Sequence, residues 1–150
     1  MIPETEIHQF FLLMYLDTKN LFERMSDRKN DYIRSLSLKR NRKPLEEVFK
    51  TKYFTANVEN LKKYPLNIIQ SLDEFHKLAD DLKWYLNNTE DMTQAITDRV
   101  DTYILHIERV YVPLIDELEL FNRQFLDTDL KKEEPKALEV PELPQIPIIE

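Results

Sequence analysis

Three histidines are the side chains of this sequence best suited to bind a metal ion or to carry a proton at neutral pH. His8 follows Glu4 by four residues, and His76 lies three residues after Asp73 and four before Asp80. Residues at these offsets share one face of a helix, so carboxylate and imidazole could act together. His106 has no acid at either offset.

A metal site would have to combine His76 and His106, which a helical hairpin would bring to similar heights. Di-iron bundles use Glu-x-x-His pairs that project inward, and the sequence contains none. With 28 acids in 150 residues, acid and histidine neighbours also arise by chance. We therefore predict no cofactor and place both histidines beside the apolar stripes of their helices; the alternative is a metal-binding protein or enzyme using His76, His106, Asp73 and Asp80.

Two residue types are missing altogether, because the chain has neither glycine nor cysteine. Without glycine there is no phosphate-binding loop of the Walker or dinucleotide type. Without cysteine there is no thiolate nucleophile and no zinc site that uses thiolate ligands. No serine stands in a nucleophile elbow either. The sequence therefore predicts no catalytic residue and a protein that is not an enzyme.

Four cations form a basic cluster between two predicted helices: Lys39, Arg40, Arg42 and Lys43. Residues 19–52 hold 11 Lys and Arg against 5 Asp and Glu, whereas the rest holds 10 against 23. The cluster suits an acidic protein partner or, as an alternative function, an anion-binding regulator. The pI near 5.1 disfavours nucleic acid and leaves only peripheral contact with a membrane. The alternative without a binding role is that these cations belong to a solvated loop between two helices.

The sequence FFLLMYL at residues 10–16 is apolar on almost every side of a helix. If Phe11 faces the core, Leu12, Leu13 and Leu16 point away from it and need cover. We expect that cover from residues 45–63 or the C-terminal tail, with a second copy or a partner as the alternative. The run is too short to span a bilayer and no secretory signal precedes it, so we expect a cytoplasmic protein.

Apolar residues recur once per helical turn and predict an all-α fold, an antiparallel bundle of three to four helices. The predicted helices cover about 3–38, 44–63 (broken), 65–87 and 90–126. We expect five aromatic residues near helix ends or on the last apolar stripe to pack in the core: Tyr64, Trp84, Tyr85, Tyr103 and Tyr111.

Residues 127–150 form a second region, a tail with four prolines and no helical repeat, which favours extended or polyproline II backbone. Its apolar side chains indicate docking on its own bundle or on a neighbouring copy, and the predicted docking residues are Leu143, Pro144, Ile146, Pro147 and Ile148. The chain is thus divided into a helical domain, 1–126, and this tail. The functional prediction is a non-enzymatic protein–protein interaction or adaptor module, self-associating or bound to a protein partner.

Overall fold

The computed structural model describes the backbone of residues 4–39, 42–89 and 94–133, and the side chains of 6–36, 42–89 and 95–126. Over these residues the chain forms six α-helices and one 3₁₀ turn, and no strand. The prediction of an all-α fold is confirmed.

The first predicted helix is divided in two, α1 (Glu4–Asp27) and α2 (Lys29–Lys39). Arg28 stands between them, although its N–H still donates to the Arg24 carbonyl at 3.2 Å. The Tyr32 hydroxyl donates to the Met25 carbonyl at 2.9 Å, so a side chain bonds a backbone carbonyl near the break between the two helices. The apolar residues whose helical spacing predicts one stripe along the first helix are all buried: Ile7, Phe11, Met14, Leu21, Met25, Tyr32 and Leu36.

The second predicted helix is broken, as its weak periodicity indicated. It consists of α3 (Lys43–Val48), the 3₁₀ turn Tyr53–Thr55 and α4 (Val58–Leu61). Pro44 stands in the first turn of α3, where its missing N–H costs nothing. Asn57 caps α4 by accepting a hydrogen bond from the Glu59 N–H at 2.8 Å.

The last two helices are α5 (Leu66–Asn88) and α6 (Gln94–Glu133). The predicted start at 90 lies outside the described residues. The predicted end at 126 is wrong for the backbone, because α6 continues for seven residues into the predicted tail. Pro113 lies inside α6 on its exposed side. Proline has no N–H to donate to the carbonyl one turn earlier, but on this side water can bond that carbonyl instead.

Ring contacts give the directions of the helices. Phe11 contacts Phe121 and Phe22 stacks on Tyr111. A step towards the C-terminus of α1 is therefore a step towards the N-terminus of α6. The same holds for α5 and α6, through the Phe75–Tyr111 and Tyr85–Tyr103 pairs. Helix α6 therefore runs antiparallel to both α1 and α5 and packs against each of them.

Residues 43–64, which we call the crossover, return along α1 in the opposite direction. Phe49 lies against Tyr32 near one end of the core and Tyr64 against Phe11 near the other. Parallel helices cannot be joined by a tight turn, so α1 and α5 need such a return segment. The crossover completes the core with Leu45, Val48, Phe49 and Tyr64, all buried.

Four of the five aromatic residues expected in the core pack there. Tyr64 is buried, and Tyr85, Tyr103 and Tyr111 are partly buried against the core. The prediction for Trp84 is wrong, because its side chain is 66% exposed on α5. Among the helices that the structure describes, none combines the length and the apolar character needed to cross a membrane.

Candidate functional site

Three leucines of α1 form an apolar surface opposite the core. Leu12 and Leu13 are each 49% exposed and Leu16 is 39% exposed. At about 100° per residue the three lie within an arc of about 100°, so they make one continuous surface. We call this surface the outer α1 face.

The crossover does not cover the outer α1 face, so residues 45–63 are not the source of cover, and of the predicted sources the tail, a second copy and a partner stay open. Two charged side chains of α1 hold the crossover on another side of the helix. Asp17 accepts from the Thr51 hydroxyl at 2.6 Å and from the Lys52 N–H at 3.1 Å. Arg24 donates to the carbonyls of Val48 and Lys50. Periodicity alone could not show on which flank of α1 the return segment lies.

A groove lies between α1 and the C-terminal half of α6, beside the outer α1 face. It has a volume of about 220 Å³. Its lining residues are His8, Leu12, Tyr15, Glu119, Asn122, Arg123 and Leu126. Leu126 is 40% exposed there, and Glu119 pairs with Arg123 at 2.6 Å at the edge. We call this the α1–α6 groove.

Asn122 gives the groove one polar feature. Its amide nitrogen donates to the Phe11 carbonyl at 3.4 Å, which ties α6 to α1. Its amide oxygen is buried and has no hydrogen-bond partner among the described protein atoms. An unpaired buried acceptor costs free energy, so a ligand with an N–H group would gain by reaching it.

The basic cluster is only partly described, since Arg40 and the Lys39 side chain lie outside the described residues. The Arg42 guanidinium donates to the Thr89 carbonyl, just past the end of α5. Arg42 therefore joins the start of α3 to the end of α5, where a cation also complements the helix dipole. Lys43 opens α3 and is exposed. The predicted tail residues, Leu143 to Ile148, also lie outside the described residues.

The two histidines of the metal hypothesis are not brought together in one cavity. His106 is exposed and lines a groove on α6 with Asp98, Arg99 and Tyr103. His76, predicted beside the apolar stripe of its helix, is 1% exposed and belongs to the buried part of α5. Across 6–36, 42–89 and 95–126, no three His, Asp or Glu side chains are grouped so that they could hold a metal ion. Asp73 and Asp80 are both exposed on α5.

His76 is buried because the 3₁₀ turn of the crossover covers it. The Tyr53 ring stacks on the imidazole with centroids 4.1 Å apart and planes 7° apart, and Phe75 and Phe54 contact it edge-on. Neither imidazole nitrogen has a hydrogen-bond partner among the described protein atoms. Burial lowers the pKa of His76 from 6.5 to about 3, which keeps the ring neutral at pH 7.

A cavity of about 250 Å³ opens next to the imidazole, and we call it the His76 cavity. It is lined by Leu21, Phe49, Lys50, Thr51, Phe54, His76, Ala79, Asp80 and Lys83. Sequence analysis missed this site, because it joins residues of α1, the crossover and α5. Its only sequence signal was a histidine adjoining the α5 apolar stripe between Phe75 and Ala79.

Comparison with known proteins gives no relative from which a role could be transferred: no family model, no curated protein and no solved structure matches this chain.

Proposed function

We propose that the protein is a non-enzymatic interaction module whose contact surface is the outer α1 face together with the α1–α6 groove. We further propose that this surface takes an extended apolar segment, and that its occupant is residues 134–150 of this same polypeptide, from its own chain or a neighbouring copy. The observation that carries the proposal is the exposure of Leu12, Leu13 and Leu16 next to a groove that ends at Leu126.

The position of the last described residue supports this occupant. Helix α6 ends at Glu133, so the chain leaves it about 10 Å beyond Leu126, at about 1.5 Å per residue. Residues 134–150 would span about 50 Å as polyproline II, at about 3.1 Å per residue. The segment is therefore long enough to turn back and follow the groove to Leu12 and Leu16.

The chemistry of the segment also matches the surface. Residues 134–150 include six large apolar residues: Leu138, Val140, Leu143, Ile146, Ile148 and Ile149. Prolines fix the backbone of such a segment, which lowers the entropy lost when it docks. Its non-proline N–H groups could satisfy the unpartnered Asn122 oxygen. Burying one exposed leucine completely contributes up to about 1.5–3 kcal/mol.

The test uses the full-length chain and backbone ¹⁵N relaxation of residues 134–150. We expect order parameters near about 0.8 for the amides around Ile146 in the wild type, and below about 0.6 in Leu12→Glu. The substitution places a charge in the groove and repels an acidic segment. Leu105→Glu is the matched control, because Leu105 is 46% exposed on α6 but does not line the groove.

Solution mass measured on the same samples distinguishes the two sources of the segment. A monomer with an ordered segment indicates docking within one chain, and a dimer that Leu12→Glu dissociates indicates exchange between copies. Order parameters below about 0.6 throughout residues 134–150 of the wild type would refute the proposal. So would equal effects of Leu12→Glu and Leu105→Glu.

A further inference from the structure

We propose that the His76 cavity binds a small carboxylic acid that has an apolar body and a hydroxyl group at the end opposite its carboxylate. The inference is independent of the proposed interaction surface, since it depends on a different part of the molecule. The His76 cavity has a polar floor, apolar walls and a charged rim.

The floor is the imidazole of His76. A neutral imidazole offers one N–H donor and one acceptor nitrogen, and neither is used by the described protein atoms. Buried polar groups are normally paired, so an imidazole with no protein partner beside a cavity has hydrogen-bonding capacity to offer a ligand. A hydroxyl group, which both donates and accepts, matches a neutral imidazole better than a carboxylate does.

The walls are apolar and come from three parts of the chain. Leu21 of α1, Phe49 of the crossover and Ala79 of α5 are all buried, and they line the cavity with Phe54. Phe54 is 62% exposed, so part of its ring is accessible to a ligand. Ligand sites are commonly built in this way, with mostly apolar walls and a few polar groups that fix orientation.

The rim carries the charge that would select an anion. Lys50 of the crossover and Lys83 of α5 line the cavity together with the Asp80 carboxylate. Neither lysine forms an ion pair with a described carboxylate. Two ammonium groups and one carboxylate leave one positive charge, which suits a ligand with a single carboxylate.

The site is held in place before any ligand arrives. Arg24 fixes the carbonyls of Val48 and Lys50, and Asp17 fixes the turn at Thr51 and Lys52. The Thr51 hydroxyl in turn accepts from the Tyr53 N–H at 3.2 Å, which sets the ring that stacks on His76. A wall tied to α1 through three backbone groups and the Thr51 hydroxyl loses little entropy on binding.

The test titrates 4-hydroxybenzoate into the full-length protein and follows the His76 imidazole by ¹H–¹⁵N correlation NMR, with isothermal calorimetry for affinity. We expect a saturable shift of the His76 nitrogens and an affinity at least about tenfold weaker in His76→Phe, which keeps the stacked ring but has no nitrogen. Benzoate, which lacks the hydroxyl, and 4-hydroxybenzamide, which lacks the charge, should also bind more weakly.

Lys50→Gln/Lys83→Gln is the second variant, because Lys50 is exposed, Lys83 is half-buried and glutamine keeps most of either side chain, so folding should not be impaired. We expect it to weaken binding at least about fivefold. Lys77→Gln, an exposed lysine of α5 outside the cavity, should leave affinity unchanged. The proposal is overturned if 4-hydroxybenzoate gives no saturable His76 shift up to about 10 mM. It is also overturned if folded His76→Phe, or the double lysine variant, binds as well as the wild type.

Discussion

Replacing His76 by phenylalanine should stabilise the free protein at neutral pH. A neutral polar group that is buried without a partner costs about 1–3 kcal/mol, and His76 has two unpartnered nitrogens. Phenylalanine keeps the stack on Tyr53, and the adjacent cavity of about 250 Å³ leaves room for its larger ring. We expect a gain of about 1–3 kcal/mol, or about 3–9 °C in the melting temperature for a chain of this length.

The gain should grow as the solution is acidified. The pKa of His76 is about 3 in the folded protein and 6.5 in the unfolded chain. Below pH 6.5 the unfolded chain therefore takes up a proton that the folded protein does not, so acid destabilises the wild type through this group. Each pH unit between the two values costs up to about 1.4 kcal/mol. His76→Phe removes the group that causes this loss. The other titratable side chains around the ring are the same in both chains: Tyr53, Asp80, Lys50 and Lys83.

The assay is equilibrium unfolding by urea at pH 7.5 and pH 5.0, with the two chains compared at each pH so that shared titrating groups cancel. We expect the stability difference to increase by about 1–2 kcal/mol at the lower pH. His106→Gln is the control for replacing a histidine and should leave stability at pH 7.5 nearly unchanged, because its side chain is exposed in the fold. A destabilised His76→Phe at pH 7.5, or a difference independent of pH, would refute the reasoning.

Three further predictions concern packing and the crossover, each measured by equilibrium unfolding. Phe11→Ala should cost about 3–5 kcal/mol, because the ring is fully buried among Tyr64, Phe121 and Phe125, whereas Leu105→Ala, at an exposed position of α6 outside the proposed contact surface, should change stability by less than about 1 kcal/mol. Asp17→Ala should cost about 1–3 kcal/mol by leaving Thr51 and the Lys52 N–H unpaired, and exposed Asp27→Ala should be nearly neutral. A double-mutant cycle on Lys29 and Asp101 should give a coupling below about 1 kcal/mol, since both side chains are partly in solvent; a larger value would contradict this view of the pair.

Helix periodicity predicted most of the core because burial follows it closely. The stripe along α1 and α2 is buried throughout, including Thr18, which interrupts it. The apolar residues that recur once per turn on α5 are also all buried: Ile68, Leu72, Phe75, Ala79, Leu82 and Leu86. The same pattern predicted that Leu12, Leu13 and Leu16 would point away from the core. It predicted the broken character of residues 44–63, where the apolar repeat weakens.

The positions that the sequence could not give depend on how separate segments meet. His76 was predicted beside an apolar stripe, and its complete burial depends on Tyr53 of the crossover, which covers it. Arg42 belongs to a basic cluster by sequence, yet its guanidinium bonds the Thr89 carbonyl, 47 residues away. Trp84 is exposed although its type favours burial. Long-range contacts set each of these outcomes, and local periodicity does not encode them.

The central claim, that residues 134–150 dock on the outer α1 face and the α1–α6 groove, is tested most directly by paramagnetic relaxation from a nitroxide at Gln145→Cys. The chain has no other cysteine, so the label is unique. We predict broadening of the Leu12, Leu16 and Leu126 signals, with Leu105 and the Trp84 side chain unaffected. A mixture of labelled and ¹⁵N-enriched chains shows whether the contact lies within one chain or between copies. Uniformly weak broadening over the whole surface, with no preference for the groove, would contradict the claim.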